Sequence, residues 1–220
     1  MGNGRESTAG GKLILVIGGV RSGKSRFAEE LAAKLARQPA SQPAGRVAYL
    51  ATAQIIDPEM EERVRFHRLR RPRSWATVEC PLDAAEAVAS VTREGRGLQV
   101  ILLDCLTVYV SNLLFTEFQA RPGLETAEII DAGAAGEIER EVLARVNLLI
   151  NNALASGAKV IVVSNEVGAG VVPDYPMGRI FRDLAGRANQ LVAGAADEVY
   201  ALVAGIPVNI KALSKEQGLL

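Results

Sequence analysis

Eight residues, Gly18-Gly19-Val20-Arg21-Ser22-Gly23-Lys24-Ser25, stand between the apolar run Leu13-Ile14-Leu15-Val16-Ile17 and an amphipathic stretch from Ser25 to Ala36. They fit the pattern G-x-x-x-x-G-K-[ST], and the flanks supply the context that pattern needs. The run before it reads as a buried strand, and the stretch after it as a helix with Phe27, Leu31 and Leu35 on one face. A glycine-rich bend of this kind commits the chain to a strand–loop–helix unit. It also turns several backbone N–H groups inward, forming a concavity suited to phosphate oxygens. Lys24 reaches the outer phosphates, and the Ser25 hydroxyl is placed to ligate a Mg²⁺ ion held between them. An ordinary glycine turn before a helix would not require strand, loop, Lys-Ser pair and helix to agree. Nucleoside triphosphate binding is the reading.

Strand and helix patterns alternate through the rest of the chain. Strands are predicted at Leu13–Ile17, Arg46–Ala51, Thr77–Glu79, Val100–Asp104, Lys159–Ser164 and Glu198–Val203. Helices are predicted at Ser25–Ala36, Pro58–Leu69, Leu82–Thr92, Leu106–Phe115, Gly136–Ala155 and Arg179–Ala195. Such alternation implies an α/β fold with a mostly parallel sheet flanked by helices on both faces. The end differs: Glu198–Val203 and Ile206–Ile210 flank Ala204-Gly205, which predicts a C-terminal antiparallel hairpin. At 220 residues the chain suits one domain, here 13–220, preceded by a flexible polar extension over 1–12 with no apolar core of a secretory signal. The segments Ala40–Gly45 and Glu117–Gly123 read as loops.

Charge excludes some classes of function. With 25 basic and 25 acidic residues the chain is not a general polyanion binder, so no nucleic-acid partner is expected. No apolar stretch is long enough to span a bilayer. Cys80 and Cys105 lack metal-ligand spacing and read as small packed residues in a reducing cytoplasm.

Two further places carry chemistry. Val100-Ile101-Leu102-Leu103-Asp104 is an apolar strand ending in a carboxylate, and in a parallel sheet that end opens on the ligand crevice. Asp104 can hold Mg²⁺ through water, or accept from the N1–H and N2–H₂ edge of guanine; a solvated strand end is the plain alternative. The only histidine, His67, follows a helix start at Asp57-Pro58, with Met60 and Val64 along its face. Around it stand Arg63, Arg65, Arg68, Arg70, Arg71 and Arg73. So many guanidinium groups repel one another unless a polyanion lies among them, and they would keep the imidazole neutral and nucleophilic. A structural histidine on a solvated basic face is the competing reading.

Taken together, the motifs resemble one family. Alongside the phosphate loop stand Tyr49-Leu50-Ala51-Thr52-Ala53, then Glu62-Arg63-Val64-Arg65-Phe66-His67-Arg68 with Arg71-Pro72, and Leu103-Asp104-Cys105-Leu106-Thr107 leading to Ser111-Asn112-Leu113-Leu114. Ser164-Asn165-Glu166-Val167-Gly168 with Gly170 and Pro173, and Phe181-Arg182-Asp183-Leu184-Ala185-Gly186-Arg187-Ala188-Asn189-Gln190, follow in order. The set resembles the bifunctional adenosylcobinamide kinase / adenosylcobinamide-phosphate guanylyltransferase family over roughly residues 13 to 211.

The resemblance implies a RecA-like phosphate-loop NTPase fold and a homotrimer. It implies that the aminopropanol hydroxyl of adenosylcobinamide is phosphorylated from ATP or GTP, and that the product then receives GMP from GTP, releasing pyrophosphate. It further implies that His67 carries the GMP covalently, and that GTP is contacted from Gly18 to Ser25, from Ala51 through Thr52 to Ala53, from Arg68-Leu69-Arg70-Arg71, and from Glu79 and Asp104. Two other functions compete. One is a phosphate-loop small-molecule kinase in which His67 is structural; the other is a regulatory module that binds nucleotide and modifies nothing, against which the lack of an effector domain counts.

Overall fold

The computed structural model describes residues 11–37, 46–54, 62, 71–94, 97–124 and 129–219. Its centre is a seven-stranded sheet built from β1 (Lys12–Gly18), β2 (Arg46–Ala51), β3 (Ala76–Glu79), β4 (Leu98–Asp104), β5 (Lys159–Asn165), β6 (Glu198–Val203) and β7 (Ile206–Asn209), in the order β3-β2-β4-β5-β1-β6-β7. All neighbours pair parallel except β6 with β7. This is the mostly parallel sheet with a terminal antiparallel hairpin that the pattern predicts, and it agrees with a phosphate-loop NTPase fold.

The strands are apolar on both faces, and the period of two divides them. Leu13 and Leu15 of β1 face one core with Leu50, Ile101, Leu103, Val160 and Val162, while Ile14 and Val16 face another with Tyr49, Leu102, Ile161 and Val163. The first core is covered by α2 (Ala84–Glu94), α3 (Leu106–Gln119), α4 (Ala132–Ala155) and α5 (Pro176–Ala195); the second is covered by α1 (Lys24–Leu35). On α1 the fully buried stripe is Ala28 and Ala32, and Phe27, Leu31 and Leu35 pack at its margins. Small residues in that stripe let the helix lie close on the sheet, directly after the phosphate loop.

Several boundaries move from the predicted ones, each for a local reason. Helix α3 runs on to Gln119, through the start of the expected loop Glu117–Gly123, because Phe118 continues the face of Leu114 and is 1% exposed. Helix α4 begins at Ala132, four residues early, because the Asp131 carboxylate accepts from Gly133 N and Ala134 N at 2.8 and 3.0 Å. Helix α5 begins at Pro176, using proline at its first position. Helix α2 lies two residues later than Leu82–Thr92. The run Ile206–Ile210 is a strand only to Asn209, whose side chain accepts from Ala212 N at 3.0 Å and starts an unexpected helix, α6 (Ile210–Glu216). The expected helix Pro58–Leu69 and loop Ala40–Gly45 lie outside the described residues, apart from Glu62. No helix among the described residues is long and apolar enough to cross a membrane.

Candidate active site

Parallel pairing puts the C-terminal ends of β1, β2, β3, β4 and β5 at one edge of the sheet, and the register aligns them further. Glu79 lies opposite Ala51, Ala51 opposite Asp104, and Gly18 opposite Asn165. Neighbouring strands lie about 4.8 Å apart, so residues far apart in the chain form one row along the crevice.

The loop from Gly18 to Ser25 closes on itself at this edge. Gly18 tolerates no side chain: a Cβ there would lie 2.7 Å from both Leu202 O and Ser22 Oγ. Gly23 has φ 92°, the left-handed conformation that starts α1, and Phe27 N reaches back to its carbonyl at 3.0 Å. Lys24 opens the helix with its side chain folded into the loop, where Nζ donates to Gly19 O at 3.0 Å. It is 9% exposed, and burial pulls its pKa below the ordinary lysine value against the opposing pull of Cys105 and Asp104. A buried ammonium with one carbonyl partner is under-satisfied by its three donors, which suits it to incoming phosphate oxygens. The Ser22 hydroxyl is also buried without a hydrogen-bond partner. Val20 and Arg21 are exposed on the rim, Arg21 at φ 57°.

Asp104 is oriented from the side. Tyr49 OH donates to its Oδ2 at 2.9 Å, while the Arg71 guanidinium lies 3.2 Å from the centroid of the Tyr49 ring. Burial, then the Asp104 carboxylate, pushes the Tyr49 phenol well above its usual pKa, so it stays a donor. Asp104 ends β4 at the same edge of the sheet where Lys24 and Ser25 open α1. A hydroxyl and one oriented carboxylate fit a Mg²⁺ ion that takes its remaining ligands from phosphate and water. No group of three or more His, Cys, Asp or Glu among the described residues forms a separate metal cluster.

Thr52 is wholly buried and pins two strand ends together. Its Oγ1 donates to Cys105 O and accepts from Cys105 N, both at 2.8 Å, and its carbonyl accepts from Asn112 Nδ2 at 2.8 Å. Its groups are thus spent within the protein, and the half-buried Ala51 and Ala53 are the residues of that stretch that face outward. Arg71 and Glu79 line an open cleft of about 390 Å³ with Pro72, Arg73, Trp75 and Thr77, beside β3 at the edge of the sheet. The structure therefore brings together the phosphate loop, Ala51, Ala53, Arg71, Glu79 and Asp104. His67, Arg68, Leu69 and Arg70 lie outside the described residues.

Three supports of the site fall on residues that the sequence reading names without giving them this role. The β6–β7 turn props the loop, with Gly205 N donating to Ser22 O at 3.0 Å. Tyr49 orients Asp104 across the β2–β4 pairing, a role that its place in a family block does not state. A buried chain runs from Thr107 Oγ1 to Ser164 Oγ at 3.0 Å and on to Asn189 Oδ1 at 2.6 Å. It fixes the end of β5, where Asn165 N donates to Thr107 Oγ1 at 2.6 Å and Glu166 N to Gly18 O at 3.1 Å. Cys80 and Cys105 are free, buried thiols, as their lack of metal spacing suggests.

Comparison with known proteins bears on this geometry directly. The family model described as cobinamide kinase / cobinamide phosphate guanyltransferase matches residues 14–210. The bifunctional adenosylcobalamin biosynthesis protein CobU of Salmonella typhimurium is 43% identical over 201 residues, covering 90% of this chain and 99% of that protein. The protein of the same name from Escherichia coli is 41% identical over 199 residues, with the same coverage, and CobP of Pseudomonas aeruginosa is 37% identical over 197, covering 90% of this chain and 96% of its own. The match spans both the Gly18–Ser25 loop and the far helix α5, so it describes the whole fold rather than one motif. The chain belongs to the cobinamide kinase / cobinamide phosphate guanyltransferase family.

Proposed function

We propose that this protein is a cobinamide kinase and cobinamide phosphate guanylyltransferase whose two reactions share one nucleotide site, and that in the second His67 carries GMP from GTP to adenosylcobinamide phosphate. The carrying observation is the Lys24–Asp104–Tyr49–Arg71 group: the Asp104 charge acts on the phosphate-loop lysine, and its carboxylate accepts from Tyr49, whose ring carries Arg71 of the arginine run. Arg71 stands four residues after His67.

In the kinase reaction, the loop N–H groups and Lys24 stabilise charge gathering on the γ-phosphoryl of ATP or GTP. The aminopropanol hydroxyl of adenosylcobinamide attacks in line, and nucleoside diphosphate leaves. In guanylyl transfer the imidazole nitrogen attacks the α-phosphorus of GTP, a P–N bond forms, the α–β bridging P–O bond breaks, and pyrophosphate departs into the loop. An oxygen of adenosylcobinamide phosphate then attacks the same phosphorus, breaking the P–N bond and returning the imidazole. Arg71 and its neighbours in sequence offset the charge of the incoming phosphate. Ser25 and Asp104 would hold Mg²⁺, which supplies charge neutralisation on the phosphates when bound. Ala51, Ala53, Arg71 and Glu79 are assigned to the nucleoside end, beside the cleft at β3. The protein works in the cytoplasm, where nucleoside triphosphates and reduced thiols are at hand, and assembles as a homotrimer.

The test uses GTP labelled at the α-phosphate. The wild type is expected to retain acid-labile label, and His67→Ala to retain none while still turning over GTP in the cobinamide kinase reaction. Acid-labile label on His67→Ala would remove the histidine from the mechanism.

A further inference from the structure

A second open cleft, of about 450 Å³, shares no lining residue with the cleft beside β3 and has no part in the mechanism above. Gly168, from the loop after β5, forms one wall; Arg182, Asp183, Gly186, Arg187 and Gln190 of α5 form the other. Those helix positions fall on one face, opposite the buried stripe of Leu184, Ala185, Ala188 and Val192. The loop wall is tied to the phosphate loop: Glu166 N donates to Gly18 O at 3.1 Å, and the Glu166 carboxylate accepts from Gly168 N at 2.6 Å.

Two features mark the cleft as built for a ligand. Arg182 Nη1 is shielded from solvent yet has no hydrogen-bond partner in the chain. Leaving such a donor unsatisfied is costly unless something else arrives to accept from it. Gly186 costs helix stability relative to alanine, but a Cβ there would meet no atom within 4 Å and its φ is not positive. Neither packing nor backbone conformation requires a glycine, whereas an unobstructed cleft floor does.

The lining chemistry selects the ligand class. Arg187 is hydrogen-bonded to the Glu139 carboxylate, and Asp183 lines the cleft with Arg182. With Arg187 already held by Glu139 and a carboxylate in the lining, the cleft is poorly suited to a phosphate dianion. A guanidinium donor, a carboxylate acceptor and the Gln190 amide instead match groups that both donate and accept, as primary carboxamides do. Cobinamide carries several of these around its corrin rim. Resting on the function proposed above, we infer that this cleft binds the carboxamide-bearing rim of the corrin, with Arg182, Asp183 and Gln190 as its specificity residues and Gly186 as its floor.

The test titrates the full chain with adenosylcobinamide, following Kd without nucleotide and then KM and kcat in the kinase assay. Arg182→Gln and Gly186→Leu are each expected to raise the cobinamide Kd and KM about tenfold, leaving the KM for GTP and the kcat at saturating cobinamide within about twofold. Arg182→Lys, which keeps a donor, is expected to recover part of the loss. Unchanged cobinamide Kd in both Arg182→Gln and Gly186→Leu overturns the assignment. So does a defect confined to cobinamide phosphate, which would make the cleft an anion site. A wild type that binds adenosylcobinamide but transfers no phosphoryl group would instead overturn the catalytic reading, with the variants' Kd values still deciding the cleft.

Discussion

Tyr49 joins two sides of the site through one side chain: its ring lies under the Arg71 guanidinium and its hydroxyl donates to Asp104. Phenylalanine would keep the ring and the cation–π contact and lose only the phenol. Tyr49→Phe should therefore cost about 1 kcal/mol of Asp104 orientation, or roughly a fivefold fall in kcat/KM for both reactions. Steady-state kinetics check this, and an equal loss from Tyr49→Phe and Tyr49→Leu would show that the ring contributes nothing. Residue identities at the loop were legible because glycine and lysine there answer to local geometry. Tyr49 was legible as a strand residue in a family block, but its hold on Asp104 was not, since nothing in its neighbours states that β4 lies beside it.

Helix α6 shows how an unpredicted element can serve a predicted one. Its Lys211 Nζ donates to the carbonyls of Ala193, Gly194 and Ala196 at 2.8, 3.1 and 2.5 Å, satisfying the C-terminal end of α5 and the residue beyond it. A cation there also complements the negative end of the helix dipole. Through this contact the terminal helix holds the β6–β7 hairpin, whose turn in turn supports Ser22 in the phosphate loop. Lys211→Met should lower stability by about 1–2 kcal/mol, which for a chain of this size is a fall in Tm of about 2–8 °C. Thermal unfolding checks it, and an unaltered Tm would remove Lys211 from the account. The helix was missed because its only start signal, Asn209, stands inside what reads as a strand.

Across the whole molecule, alkaline stability carries the mark of the two buried thiols. Cys80 and Cys105 are pushed up to about 12 from 9.0, chiefly by burial and then by Asp83 and Asp104 respectively. A folded-state value above the unfolded one means that the unfolded chain releases these protons first. Stability from this source is fully present below pH 9 and is lost as the pH climbs toward 12. The Cys80→Ala/Cys105→Ala double variant should therefore lose Tm less steeply than the wild type between about pH 9 and 11. Parallel curves would place the alkaline sensitivity elsewhere. The same burial follows from the two-sided core: Cys80 packs with the four-helix face and Cys105 with the α1 face.

The chain's own residues settled the βα unit at Gly18–Ser25, the alternation that makes a parallel sheet, the hairpin around Gly205 and the family's motif blocks. Each depends on neighbours a few positions apart, where backbone preference and hydrophobic period act. What the tertiary structure decided is which distant ends meet: Glu79, Ala51 and Asp104 in one row, Thr52 spent on Cys105, Gly205 under Ser22, and the cleft between Gly168 and α5. Those depend on strand order and register, which arise from packing two cores at once and leave no mark in any short stretch of sequence.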